Sequence, residues 1–341
     1  MILVKKYSLP LWRFFLCLFT ILCISCEEKE FHEFSGKTMG TDYTIKYQIP
    51  LFISPRFPNQ SNNKDRVDQL LEDINNQMST YISDSEISRF NTFNDTTWFA
   101  ISDEFAYVIA SSFKYYKISN GLYDITVMPL VNLWGFGPEI FLDIPSKTQI
   151  DSVLQFVSQD LIEIDGNKIR KKDPRVQIDL SSIAKGYAVD QIIEILDYEN
   201  IMVEIGGEVR TLSDKKLWKI GVITPSIGNF NYDIEYIVPI TNHSLATSGN
   251  YRNFYVDDNK NFYHHEINPL SGYPIQSNLG SISILTTTSC MEADGLSTAL
   301  YMMDTKEVKI FLDRSNFEGL MIIQNEDGSF EKIFSNNFPK N

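Results

Sequence analysis

Between Met39 and Ile49, the side chains Tyr43, Ile45, Tyr47 and Ile49 recur at every second position, the period of a half-buried strand. Residues 50–64, with three prolines and several Asn and Ser, read as a loop. The period then lengthens: Val67, Leu70, Leu71, Ile74 and Met78 fall on one helical face. A second helix is expected from about Asp103 to Lys117, N-capped by Ser102, and Ser146-x-x-Gln149 has the form of a capping box opening a short helix. Residues 161–164 and 168–178 flank Asp165-Gly166-Asn167 as a hairpin. Ile183, Tyr187, Ile192 and Ile195 mark a helix that leads into a strand at residues 201–205. Most periodic segments from Trp218 to Leu285 read as strands and residues 291–303 as helix, while strands at 320–323 and 330–334 close the chain around Asp327-Gly328. Strands and helices mix without βαβ alternation, so the expected class is α+β, mostly antiparallel sheets with packed helices.

The N-terminus reads as an address. Lys5, Lys6 and Arg13 precede an apolar run over residues 14–24, short for a membrane span and of the right length for a signal-peptide core. Ser25-Cys26 then resembles a lipobox, with Cys23 standing where an aliphatic residue is usual. A plain secretory signal or an anchor helix would use the same run. The expected plan is a lipoprotein signal over residues 1–25, lipidation of Cys26, an acidic tether over 26–35, and a main region over 36–341 with two lobes. Such a protein is exported and lipid-anchored to a bacterial membrane, facing the periplasm or the cell exterior.

Charge narrows the function. The 341 residues carry 30 basic and 44 acidic side chains, a net charge of −14. Loss of Lys5, Lys6 and Arg13 with the leader takes it to −17. No basic surface is available for nucleic acid. Of four cysteines, three lie within the first 26 residues, and Cys290 alone cannot found a disulfide framework. The P-loop, the dinucleotide G-x-G-x-x-G, H-E-x-x-H and paired C-x-x-C patterns are all missing. A metal, if used, is then a hard cation held by oxygens, such as Mg²⁺.

Several clusters could carry chemistry, and each has a bland counterpart. Asp294 and Thr298, four apart, can reach one Mg²⁺ from a helix face; a capped helix start with a buried threonine has the same spacing. Residues 179–186 (DLSSIAKG) turn from strand to helix, where backbone amides and Lys185 suit an anion, as an ordinary N-cap with a surface lysine also would. His264 or His265 could be a general base or a satisfied structural histidine. Gly206-Gly207 and residues 247–250 (TSGN) could let a phosphate approach or simply turn the chain. Residues 121–126 (GLYDIT) and 133–136 (LWGF) could line a slot for a planar ring or pack a core.

Taken in order, residues 36–41 (GKTMGT), 78–81 (MSTY), 85–91 (SEISRFN), 121–126, 133–136, 179–190, 205–208 (IGGE), 246–249 (ATSG), 265–269 (HEINP) and 293–294 resemble the ApbE family of FAD:protein FMN transferases over nearly the whole mature chain. The resemblance implies a T-fold-like core with FAD bound between two lobes. It maps FAD contacts onto Met39, Tyr81, Leu122, Tyr123, Asp124, Asp179, Lys185 and Ile267. It maps metal ligands onto the backbone carbonyl of Ser182 and onto Asp294 and Thr298, and the base onto His265. Departures are Tyr123 for Phe, Leu122 for a smaller residue, Ser181-Ser182 for Gly-Ala, and Asn268 for Asp. The implied reaction is Mg²⁺-dependent transfer of FMN from FAD to a threonine hydroxyl of a membrane redox protein, releasing AMP. Two alternatives stand beside it: an FAD pyrophosphatase, and a non-catalytic flavin-binding lipoprotein.

Overall fold

The computed structural model describes residues 31–49, 62–138, 143–214, 216–226, 233–257 and 259–340. The leader, Cys26 and most of the loop expected at 50–64 lie outside the described residues. In chain order, β1 (Phe31–Thr38) and β2 (Thr41–Gln48) precede α1 (Asn63–Met78), α2 (Glu86–Thr92), β3 (Phe99–Ala100) and α3 (Asp103–Ile118). Short helices α4 (Met128–Leu133) and α5 (Lys147–Leu154) lead to the hairpin β4 (Ile162–Ile164) and β5 (Lys168–Lys171). Next come α6 (Ala184–Leu196), β6 (Ile201–Ile205), β7 (Glu208–Leu212), β8 (Trp218–Ile223), β9 (Ile234–Ile240) and β10 (Ser244–Gly249). The chain ends with β11 (Phe254–Val256), β12 (Phe262–His264), β13 (Leu279–Thr286), α7 (Cys290–Tyr301), α8 (Thr305–Arg314), β14 (Glu318–Gln324) and β15 (Phe330–Phe334).

The main sheet has eight strands in the order β1-β2-β6-β7-β10-β13-β14-β15 and stays open rather than closing into a barrel. Every neighbouring pair in it is antiparallel. Register follows from burial. Tyr43, Ile45 and Tyr47 lie opposite Ile205, Val203 and Ile201, so the alternating apolar set of β2 faces the core together with that of β6. The buried stripes of α1, α3, α6 and α7 cover that face, while β8 and β9 contribute Trp218, Val222, Val238 and Ile240 to a core on the other. A third cluster, including Leu130, Trp134, Ile150 and Ile267, closes the structure beside the cleft described below.

The α+β class, antiparallel pairing and helices expected from sequence are all present. Boundaries differ where tertiary contacts decide them. Residues 31–35 are not tether but the start of β1, because Phe31 packs edge-on against Trp218 at 5.1 Å and Phe34 against Tyr43. Lys64 belongs to α1 rather than to the preceding loop. β5 ends at Lys171 and not at residue 178; Pro174 cannot extend the ladder, and the buried Lys171 ammonium donates to the carbonyls of Asn91 and Pro174. Ser102 occupies the N-cap position, but its hydroxyl donates to the buried Glu86 carboxylate instead of capping. Ser146 and Gln149 form the expected capping box.

Helices α6 and α7 cross closely, and this crossing positions the site. A Cβ on Gly186 would stand 2.5 Å from the Cys290 carbonyl oxygen and 2.7 Å from the Asp294 Cβ, so only glycine permits the approach. Asp190, on α6, accepts the N–H groups of Cys290 and Met291 at 2.8 and 2.9 Å and pairs with Arg210. The first turn of α7 is thereby held against α6, with its orphan donors satisfied by a carboxylate.

Candidate functional site

Two connected cavities open beside this helix crossing. The larger, about 1070 Å³, lies between the β1–β2 tip and α1, walled by apolar Met39, Leu71, Ile74, Met78 and Ile82 and by polar Lys64, Asp68 and Asn75. The smaller, about 300 Å³, gathers Leu122, Tyr123, Ser182, His265, Asp294 and Thr298. Tyr81, Asp179, Ser181, Lys185 and Asn253 line both, and so mark their junction. Every residue to which the family resemblance assigned FAD, metal or base chemistry lines one cavity or the other, whereas His264, the other candidate base, lines neither.

Local structure explains each placement. Met39 and Gly40 sit between the paired Thr38 and Thr41 with φ of 49° and 72°, as a tight hairpin turn of the I′ kind requires, which sets Met39 on the cavity wall. Tyr81 is 69% exposed, and its hydroxyl donates to the Phe136 carbonyl, leaving a ring at the junction for a planar partner. Tyr123 differs: it is 3% exposed, lies edge-on to Tyr115, and accepts a hydrogen bond from the Ser182 hydroxyl at 2.9 Å. Among residues 121–126, which could line a slot for a planar ring, it thus contributes a hydroxyl edge. Asp124 lines the cavity with both carboxylate oxygens already engaged, by Thr126 and by the Gln159 N–H. Ile267 is anchored by a bridge to Pro274.

The segment before α6 meets α7 directly. The Gly186 N–H, an orphan donor in the first turn of α6, donates to Asp294 Oδ2 at 2.8 Å. Ser182, which precedes that turn, lines the small cavity. The Asp179 carboxylate takes the Ser181 N–H, so the amides expected to greet an anion are partly committed within the protein. Thr298, one turn beyond Asp294, shares its hydroxyl with Ser248 at 3.0 Å, and Ser248 also meets Ser297. Residues 247–249 therefore belong to strand β10 rather than to a polar loop.

Charge in the small cavity is concentrated and buried. Lys185 Nζ lies 3.2 Å from Glu208 Oε1 and 3.7 Å from Asp294 Oδ1. Burial works against its charge, but the two carboxylates outweigh burial and raise its pKa. Burial pushes the Asp294 carboxyl up, while Lys185 pulls it back. His264 and His265 diverge. His264 is buried and bonds the Ile275 carbonyl through Nε2. His265, its side chain 34% exposed, meets the Asn253 carbonyl through Nδ1 at 3.1 Å, which fixes the Nδ1–H tautomer and leaves Nε2 as an acceptor. Desolvation, with help from Lys185 and Arg252, pulls His265 down to about 4, so it is neutral over the ordinary range. Glu266 Oε1 stands 3.6 Å from that Nε2, and burial raises its carboxyl to about 7.

Among the described residues no three His, Cys, Asp or Glu side chains converge as a ligand set. A cation here would rest on one carboxylate, one hydroxyl and one carbonyl, donors that suit a hard ion retaining water. Glu208, Arg252 and Glu266 were given no role from sequence, although all line the small cavity. Gly206-Gly207, with φ of 59° and 107°, was the available signal for Glu208.

The model of the ApbE family matches residues 39–321. The chain is 39% identical over 313 residues to an FAD:protein FMN transferase of Haemophilus influenzae, covering 88% of this chain and 89% of that one. It is 36% identical over 326 residues to that of Vibrio cholerae, covering 93% and 95%. The solved flavin transferase ApbE of Vibrio cholerae superposes with a TM-score of 0.80 at 36% identity, over 91% of this chain and 98% of that one.

Proposed function

This chain belongs to the ApbE family, and from that premise we propose that it is an FAD:protein FMN transferase that moves the FMN part of FAD onto a hydroxyl of an acceptor protein and releases AMP. The observation that carries the reading is the two-chambered cleft with Lys185, Asp179 and Tyr81 at its waist. Such a shape suits a molecule with two ring systems joined by an anionic linker, and Tyr81 offers a ring face where they meet.

In the reaction the acceptor oxygen bonds to the FMN-side phosphorus while the bond from that phosphorus to the AMP oxygen breaks. The acceptor proton passes to His265 Nε2, which the Nδ1 contact leaves free. Lys185 faces the linker as a fixed positive charge. A diphosphate entering beside Asp294, Glu208 and Asp179 brings like charges together, which supports a divalent cation such as Mg²⁺ held by Asp294, Thr298 and the Ser182 carbonyl. Bound there, the ion would neutralise charge on the phosphates and on the departing AMP oxygen.

The acceptor group assigned is a threonine hydroxyl of a membrane redox protein. Mixing this protein with FAD, Mg²⁺ and a threonine-bearing acceptor should produce a fluorescent flavin band that survives denaturing electrophoresis. AMP release without any labelled acceptor would instead make the enzyme an FAD pyrophosphatase. The run over residues 14–24 followed by Ser25-Cys26 supports export and a lipid at Cys26. Metabolic labelling with palmitate should mark the wild type and not Cys26→Ser; equal labelling of both would remove the anchor.

A further inference from the structure

Glu208 has no part in the chemistry above, yet it is 2% exposed, lines the reaction cavity and leaves one oxygen, Oε2, buried with no hydrogen-bond partner. An orphaned carboxylate oxygen in such a place is costly unless another state of the protein supplies its donor. Its position is enforced rather than incidental. The turn through Gly206 and Gly207 starts β7 directly at Glu208, and a Cβ on Gly207 would stand 2.8 Å from the Arg252 guanidinium, which donates to the Gly206 carbonyl.

The other oxygen, Oε1, is engaged. Lys185 stands between two carboxylates and sits nearer Glu208, at 3.2 Å, than Asp294, at 3.7 Å. Asp294 Oδ2 is occupied by the Gly186 N–H. Oδ1 is therefore the Asp294 oxygen left for a cation, and the ammonium of Lys185 is its direct competitor. We propose that Glu208 is a positioning residue for the cation site: through Oε1 it holds Lys185 off Asp294 Oδ1. This role rests on the reading that Asp294 binds a divalent cation. It makes Glu208 an outer partner of the ion, of the kind that tunes affinity without touching the metal.

The test is Mn²⁺ binding to the mature chain without FAD, read by the loss of the free-ion electron paramagnetic resonance signal. Glu208→Gln preserves size and removes the charge that retains Lys185. It should weaken Mn²⁺ binding about tenfold, with the thermal midpoint and the FAD affinity measured in chelator close to wild type. Wild-type Mn²⁺ affinity in a folded Glu208→Gln protein overturns the proposal. Should that variant fail to fold, Lys185→Met reads the same competition from the other side: Mn²⁺ affinity should rise, and an unchanged or weaker affinity counts against it. Failure of the underlying reading looks different, since wild type would then bind no Mn²⁺, or Asp294→Asn would bind it as well as wild type.

Discussion

Asp294→Asn is expected to fold normally and to lose FMN transfer by on the order of 10³-fold. The choice of asparagine follows from the contacts. Its amide oxygen can still accept the Gly186 N–H, now 2.8 Å from Oδ2, and its volume still fills the gap where α6 crosses α7. Alanine would strand that buried N–H, at a cost of about 1–3 kcal/mol, and confuse a catalytic loss with a structural one. What asparagine removes is the only carboxylate of the assigned ligand set, leaving a hydroxyl and a carbonyl to hold an ion against its hydration. Initial rates of fluorescent labelling at saturating Mg²⁺, beside a circular-dichroism melt, separate the two effects. A variant that melts like wild type and keeps a substantial fraction of its rate would take Asp294 out of the reaction.

Asp294 and Thr298 were legible in sequence because four residues on one helix is a local rule. The partner of Asp294 was not, since Gly186 lies 108 positions earlier and nothing in the spacing joins them. The resemblance to the ApbE family joined Asp294 to Ser182 as metal ligands, and the helix crossing adds the Gly186 contact. The same division runs through the fold. The alternation of β2 and the stripe of α1 were readable because one face is buried and the other is not. The ends of β1 and β5 were set by Phe31 on Trp218 and by Pro174 after the buried Lys171, contacts that no periodicity reports. Spacing alone could not rank adjacent His264 and His265, and only the family resemblance chose His265. They separate because His264 closes β12 and turns into the protein, toward the Ile275 carbonyl, while its neighbour lines the cavity. Glu208 and Arg252 escaped for another reason: a single carboxylate or guanidinium says nothing of its role until the fold brings it beside Lys185 or Gly206.

His265→Ala is expected to slow transfer by about 10²–10⁴-fold while leaving FAD affinity within about threefold of wild type. The asymmetry follows from where the ring sits. Its Nδ1 is spent on the Asn253 carbonyl, so Nε2 is the one nitrogen facing the reaction, and a base is needed only once the acceptor hydroxyl begins to bond to phosphorus. On the proposed reading, ground-state binding of FAD draws on Tyr81, Lys185 and the other walls of both cavities, which alanine at 265 leaves in place. The pH dependence supplies a second readout. Desolvation, with Lys185 and Arg252, holds His265 near 4, so wild type keeps a neutral, proton-accepting ring through the neutral range and loses rate only as the pH falls toward that value. Without the ring the acceptor proton must go to solvent, and the residual rate should climb with pH by up to about tenfold per unit where wild type is level. Stopped-time labelling across pH 5 to about 9, with FAD binding followed by flavin fluorescence, measures both. Equal losses in affinity and rate, or matching pH profiles for variant and wild type, would make His265 a structural residue and leave the acceptor proton to another group, with Glu266 the nearest carboxylate to take it.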